Sequence, residues 1–94
     1  VENVVYLELL RRYHSVRVGR VGGLEIDFVA EWEGKPHYYQ VALSVLDEAT
    51  LRRELRPLEL LGDAYPKTLL TLDRIGATDH NGIEQRSLVD WLLK

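Results

Sequence analysis

The first residues of the chain carry apolar side chains at helical spacing. Val5 and Leu9 are four residues apart within the stretch from Glu2 to Tyr13, which predicts an amphipathic helix with these side chains facing the core. Three further apolar residues are expected to widen the buried stripe: Val4, Leu7 and Leu10.

The pattern then changes to alternation of apolar and polar residues, which is typical of half-buried strands. Three such stretches run from His14 to Val21, from Leu24 to Trp32 and from Lys35 to Val45. The pair Gly22-Gly23 separates the first two, and Gly34 separates the second from the third. Glycines between alternating stretches favour tight turns. The sequence therefore predicts an antiparallel meander of three strands.

A second helix is predicted after Asp47, whose carboxylate is suited to capping a helix N-terminus. Four leucines follow at helical spacing: Leu51, Leu55, Leu58 and Leu61. Pro57 lies inside this run, and because proline lacks a backbone donor we expect the helix to kink or restart there. Gly62 favours the end of the helix.

The remaining pattern predicts a short central strand at 67–72, a loop over 73–81 and an edge strand from Ile83 to Ser87. Asn81-Gly82 is a turn signal. Ser87, followed three residues later by Asp90, forms a capping box for a terminal helix. The expected buried side of that helix comprises Leu88, Trp91 and Leu92. The whole order is α-β-β-β-α-β-β-α, an α/β (α+β) domain with a mixed sheet.

Composition narrows the class of protein. The chain has 94 residues, 46% of them apolar, which is enough for a single domain with one packed core. It has no cysteine, so disulfides and thiolate zinc sites are excluded and a cytoplasmic location is expected. No apolar run is long enough for a membrane span, and no signal peptide is recognisable. The absence of methionine predicts a domain excised from a longer chain.

The candidate functional residues lie on the second and third predicted strands. The net charge of −3 lacks the basic excess typical of nucleic-acid binders. A tight hairpin at Gly34 would bring Asp27 beside Gln40, and Ala42 would share the face of Gln40 because strand side chains alternate. An aspartate facing a polar residue on the next strand is a layout that suits a hard cation such as Mg²⁺.

The order of elements and these residues resemble the PD-(D/E)XK nuclease superfamily. More closely, the chain resembles the nuclease-like domain found C-terminal to the ATPase module of prokaryotic AAA-type ATPases. The resemblance covers nearly the whole chain, and it rests on these segments: 2–9, 25–29, 39–42, 65–67, 70–73 and 90–93.

The resemblance implies a restriction-endonuclease-like core and assigns roles to individual positions. Asp27 would be the metal carboxylate, Gln40 would stand at the Glu or Gln ligand position, and Glu2 would be the auxiliary acid of the first helix. Ala42 stands where the superfamily carries a lysine that positions the attacking water and stabilises charge. A methyl group does neither, and a glutamine at position 40 removes one negative charge from the site.

Other basic residues were considered as substitutes for that lysine. The chain's lysines are Lys35, Lys67 and Lys94, and none of them is expected near Ala42. Arg52 or Arg53 on the second helix could reach inward instead. The alternative interpretation makes Glu25 and Asp27 ordinary polar residues of a strand and Glu2 a first-turn acid favoured by the helix dipole. The histidines show no ligand spacing: His14, His37 and His80.

The sequence thus predicts one nuclease-like domain, residues 1–94, from the C-terminal part of an ATPase chain. The leading hypothesis is a degenerate, non-catalytic accessory or interaction domain. The alternatives are a Mg²⁺-dependent DNA endonuclease with a modified site and a purely structural domain that packs on its ATPase module. The expected partner is the upstream ATPase domain, with DNA or another protein as further possibilities and no membrane. No cofactor is expected unless the nuclease alternative holds, in which case Mg²⁺ would bind.

Overall fold

The computed structural model describes all 94 residues, which form three helices and six strands. In chain order the elements are α1 (Glu2–Arg12), β1 (Ser15–Val21), β2 (Leu24–Trp32), β3 (Lys35–Ala42), α2 (Glu48–Leu60), β4 (Lys67–Thr71), β5 (Thr78–His80), β6 (Ile83–Ser87) and α3 (Leu88–Leu92). The predicted α/β class is confirmed.

The strands form one mixed sheet in the order β1-β2-β3-β4-β6-β5. β1, β2 and β3 are the predicted antiparallel meander, β4 is interior and parallel to β3, and β6 is parallel to β4. One expectation is wrong: β6 is not an edge strand, because β5 pairs with its outer side. β5 falls within the predicted loop at 73–81. It has only three residues, so an alternating pattern cannot develop there.

The β5–β6 hairpin is closed by Asn81 and Gly82, which have φ angles of +53° and +94°. His80 pairs with Ile83 across the turn, which leaves a two-residue connection. Asparagine followed by glycine suits such a turn because both positions need a positive φ. The turn signal was therefore correct, while the short strand before it was missed.

The two faces of the sheet have separate cores. α1 and α3 cover one face, where the buried apolar side chains are Val5, Leu9, Phe28, Ala30, Tyr39, Val41, Leu70, Leu88 and Trp91. α2 covers the other, with Ile26, Val29, Val45, Leu55, Leu58, Leu69 and Ile83. Strand alternation accounts for this division, since the consecutive residues Tyr38 and Tyr39 pack on opposite faces.

The helix ends follow local chemistry. The Asp47 carboxylate accepts a hydrogen bond from the Thr50 amide at 3.0 Å, and Ser87 Oγ accepts one from the Asp90 amide at 3.5 Å. α2 ends before Gly62, whose φ is +68°. The helix does not restart at Pro57 but continues through it to Leu60. A buried Pro57 is tolerated because the packing of its neighbours outweighs one missing donor.

α1 buries less of its apolar surface than its sequence predicts. Val5 and Leu9 are fully buried, whereas Val4, Leu7 and Leu10 are exposed by 48%, 58% and 44%. The latter three do not widen the buried stripe, because the sheet contacts only one narrow side of the helix.

None of the three helices has both the length and the apolar character that are needed to cross a lipid bilayer.

Candidate functional site

Asp27 and Gln40 lie where β2 and β3 separate. Backbone pairing between the two strands runs from Trp32 opposite Lys35 to Phe28 opposite Tyr39 and goes no further. Two side chains then bridge the gap. The Asp27 amide donates a hydrogen bond to Gln40 Oε1 at 2.7 Å, and the Val41 amide donates one to Asp27 Oδ2 at 2.9 Å. The structure thus brings Asp27 and Gln40 together, as the hairpin at Gly34 predicts.

A β-bulge sets the direction of Asp27. On the β1 side, the pairing shifts from Arg17 opposite Val29 to Gly19 opposite Ile26. Between these pairs β1 has one residue, whereas β2 has two, Asp27 and Phe28. Ile26 and Val29 consequently point into the same core although they are three residues apart. The extra residue breaks the two-residue period, as bulges near functional sites commonly do.

The bulge depends on Gly19. A Cβ at this position would lie 2.6 Å from Val29 Cγ2 and 3.3 Å from Ile26 Cβ. No residue with a side chain fits there without displacing β2. A glycine on β1 therefore allows the close approach that holds Asp27 in place.

The electrostatic environment of Asp27 is acidic. Burial raises its pKa to about 6, and the nearby charges of Glu2, Glu54 and Glu25 add to that effect. The hydrogen bond from the Val41 amide opposes the shift in part. The largest charge effects on this carboxylate thus come from other carboxylates, of which Glu25 is itself paired with Arg20 at 3.5 Å.

Glu54 is a member of this site that the sequence did not indicate. It lies on α2, and its pKa is raised by burial and by the charge of Glu2, against the opposing charge of Arg53. Its backbone oxygen is 3.5 Å from Gln40 Nε2, which donates to it. In sequence Glu54 looks like any other polar residue of an amphipathic helix, so only the packing of α2 on the sheet reveals its position.

Both polar atoms of the Gln40 side chain form hydrogen bonds within the domain. It is 4% exposed, its oxygen accepts from Asp27, and its amide nitrogen donates to α2. Ala42, two residues on, packs against the core beneath α2. Across the whole chain, no three acidic, histidine or cysteine side chains are grouped closely enough to hold a metal ion.

Of the basic residues named as substitutes for the missing lysine, Arg53 acts by its charge on Glu54, and the others lie or are bonded elsewhere. Arg52 is exposed and forms an ion pair with Glu48 at 3.1 Å on the outer side of α2. Lys67 donates to both backbone and side-chain oxygens of Asp63 and to the Tyr65 carbonyl. Lys35 lies opposite Trp32 at the far end of the hairpin.

Two surface hollows flank the sheet at opposite ends. The smaller, about 390 Å³, adjoins the candidate site and is lined by Val1, Glu2, Asn3, Val41 and Leu43. The larger, about 520 Å³, lies between the end of α2 and the Asn81-Gly82 turn. It includes Lys67, whose ammonium already has three partners, so the larger hollow has no free cation to offer a ligand.

The three histidines lie in separate places. His14 stacks on Trp32 with ring centroids 4.0 Å apart, and His80 Nε2 is 2.8 Å from Gln85 Oε1. Asp79 accepts a hydrogen bond from the Gly82 amide, as expected of a turn residue. None of these groups contacts the Asp27 site.

His37 belongs to a network that sequence reasoning missed. Its Nδ1 lies 3.1 Å from the Tyr13 hydroxyl and 3.3 Å from the Tyr39 hydroxyl, and its Nε2 lies 2.8 Å from Thr68 Oγ1. The two tyrosine hydroxyls are 2.9 Å apart. Burial lowers the pKa of His37 to about 4, so the imidazole is neutral at pH 7.

Comparison with known proteins gives a relative without an assigned activity. An uncharacterized protein of Haemophilus influenzae is 39% identical over all 94 residues, which correspond to 23% of that protein. The chain thus spans about a quarter of the length of the curated relative it matches. No family model and no solved structure matches the chain.

Proposed function

We propose that these residues form a PD-(D/E)XK-like domain that does not cleave nucleic acid and acts as an accessory or interaction module of a prokaryotic ATPase. The observation that carries the proposal is the environment of Asp27. A carboxylate that resembles the metal ligand of a nuclease is partly buried and feels the charges of other carboxylates, with Ala42 at the lysine position.

The arrangement of the elements supports the resemblance. A helix followed by an antiparallel meander, a second helix and a parallel interior strand is the order expected of that superfamily. The acid of β2 and the glutamine of β3 are neighbours at the point where the strands diverge. This is the juxtaposition that the sequence motifs imply.

The local chemistry argues against catalysis. Phosphodiester cleavage develops negative charge, which nucleases of this kind stabilise with a metal ion and an ammonium group. Here position 42 carries a methyl group, and the Gln40 amide is held by Asp27 and α2. Loss of one such electrostatic group typically lowers a rate by a factor of about 10² or more.

The ATPase context rests on the resemblance. A match that covers 23% of a relative is compatible with a module of a much longer polypeptide. Reading the natural gene upstream of Val1 tests the proposal directly. We expect a P-loop sequence there, and a longer chain without a nucleotide-binding motif would contradict the ATPase assignment.

The proposed lack of cleavage is tested by incubating the purified domain with plasmid and oligonucleotide DNA in the presence of Mg²⁺ or Mn²⁺. We expect no metal-dependent cleavage and no micromolar metal binding by calorimetry. The variant Asp27→Ala, purified in the same way, controls for contaminating nucleases. Cleavage by the natural domain that disappears in Asp27→Ala would overturn the proposal.

A weakly active Mg²⁺-dependent endonuclease is the second candidate, and Glu54 is the observation that favours it. Its charge acts at this site together with those of Glu2 and Asp27, although the three carboxylates would have to move closer together to hold a metal ion. A bound divalent cation would relieve the repulsion among them. If this candidate holds, Glu54→Gln abolishes cleavage, whereas Glu59→Gln, the same change at an exposed position of α2, leaves it intact.

A further inference from the structure

The outward side of α1 is apolar. Val4, Leu7 and Leu10, which we call the α1 outer face, are each between 44% and 58% exposed. Leu7 is two residues from both Val5 and Leu9, hence about 200° around the helix from the side chains that enter the core. The apolar residue at the centre of the face thus points directly away from the sheet.

The charges beside this face are already neutralised. Arg11 is the basic residue next to Leu7 and Leu10, and its guanidinium donates two hydrogen bonds to the Glu8 carboxylate. A paired guanidinium is less costly to cover than a free one, and the arginine stem adds apolar surface. Nothing on this side of α1 would therefore oppose contact with another protein surface.

For comparison, α2 shows which residues occupy the outward side of a helix that faces water in this domain. Its outward residues are charged, among them Arg52, Arg53, Arg56 and Glu59, all of which are exposed. Both helices pack on the same sheet and have similar lengths, 11 and 13 residues. α2 has a single exposed apolar residue of comparable size, Leu60 at its last position, whereas α1 has a stripe of three, which is the pattern expected of a covered surface.

Further exposed apolar residues lie near the start of α1. Val1 and Leu43 line the hollow beside the candidate site and are 46% and 65% exposed. Leu72, 41% exposed, is joined to Leu43 through a backbone hydrogen bond of 3.1 Å. These three residues form a separate group at the end of the sheet where β3 and β4 stop.

The size of the face argues against an independent partner. An 11-residue helix is about 16 Å long and, with side chains, about 10 Å wide, which gives a face of about 160 Å². A stable complex between separate proteins usually buries about 800 Å² on each partner. A tethered segment needs far less, because its effective concentration is about millimolar.

We propose that the α1 outer face is the surface on which the rest of the same, longer polypeptide docks through an apolar segment. The extent of the Haemophilus influenzae relative, of which these residues match 23%, supports a tethered occupant over a second copy. The inference takes from the proposed function only that the domain is part of a longer chain. It is independent of whether that chain hydrolyses ATP or the domain cuts DNA.

Thiol labelling tests the inference, since the domain has no cysteine of its own. Leu7→Cys is introduced into the isolated domain and into the longer natural chain, and labelling of the peptide that contains it is followed by mass spectrometry. Arg56→Cys, on the exposed side of α2, is the matched control. We expect Leu7→Cys to react at least tenfold more slowly in the longer chain, and Arg56→Cys to react equally in both.

Two results would overturn the inference. Equal labelling of Leu7→Cys in both proteins would mean that the face stays open in the longer chain. Protection in the isolated domain that disappears on dilution would mean that a second copy covers the face. Nucleic-acid cleavage by the domain would refute the proposed function while leaving the labelling result unchanged, so the two failures are distinguishable.

Discussion

Two polar clusters share strand β3 and differ in nearly every electrostatic respect. The His37 cluster comprises Tyr13, His37, Tyr39 and Thr68, and its members are neutral and bonded to one another. The Asp27 cluster comprises Glu2, Asp27, Gln40 and Glu54, and its carboxylates act on one another, with only the charge of Arg53 opposing at Glu54. A closed neutral network stabilises the fold, whereas partly buried acids with raised pKa values are a feature of functional sites.

The two clusters should respond oppositely to acid. The pKa of His37 lies below its ordinary value of 6.5, so the unfolded chain binds the proton more tightly and stability falls as the pH drops from about 6.5 to about 4. The pKa of Asp27 lies above its ordinary value of 3.8, so the folded chain binds the proton more tightly. Stability then falls as the pH rises from about 4 to about 6.

The largest expected effect tests the His37 cluster. Protonation of His37 should destabilise the domain by as much as about 3 kcal/mol between pH 6.5 and pH 4. We expect His37→Gln, which cannot titrate, to remove this acid sensitivity in urea unfolding measured across that range. His14→Gln, the same change at an exposed histidine, is the control. Equal acid sensitivity of the natural domain and His37→Gln would show that the imidazole does not set it.

Tyr39→Phe tests whether the neutral network contributes to stability. The change removes one buried hydroxyl but leaves Tyr13 in contact with His37. We expect a loss of about 1 kcal/mol at pH 7, the usual net value of one internal hydrogen bond. Urea midpoints measure it, with Tyr65→Phe at an exposed tyrosine as the matched control. A loss no larger than that of the control would contradict the importance of the network.

Asp27→Asn tests the Asp27 cluster, because it removes the charge and keeps the shape of the side chain. Asparagine can still accept the Val41 hydrogen bond, but it carries no charge that burial would penalise or that Glu2 and Glu54 would repel. Since Asp27 is only partly buried, solvent screening reduces the benefit, and we expect a gain of about 1 kcal/mol at pH 7. At pH 3, where the natural aspartate is protonated, the gain should vanish. A destabilised variant at pH 7 would refute the assignment of repulsion to this cluster.

The smallest effect is expected at an exposed ion pair on α2. Arg52→Gln breaks its contact with Glu48, and both side chains are more than half exposed. Such pairs contribute about 0.5 kcal/mol or less. The change should therefore alter neither stability nor its pH dependence by more than that amount in the same urea assay. A larger change would mean that Arg52 acts on the Asp27 cluster after all.

The parts of the fold that follow from local pattern were predictable. The hairpin at Gly34 sets the register of β2 and β3, and the register brings Asp27 to Gln40. The bulge at Asp27 depends on Gly19 in the neighbouring strand. A two-residue alternation of apolar and polar residues within one strand does not predict such a contact. Glu54 and His37 acquired their surroundings from elements distant in sequence. For the same reason, the outward direction of Leu7 could not be distinguished from the inward direction of Leu9.

One amide in the gap between β2 and β3 can report on the charge of Asp27 in a spectrum of the domain. The Val41 amide donates to Asp27 Oδ2 instead of to a backbone carbonyl. Its proton resonance should therefore titrate with the charge on that carboxylate, near pH 6, while the amides paired in the regular ladder stay unperturbed. A single peak in a nitrogen–proton correlation spectrum would then follow protonation, cation binding or the arrival of a partner at Asp27, with no probe attached.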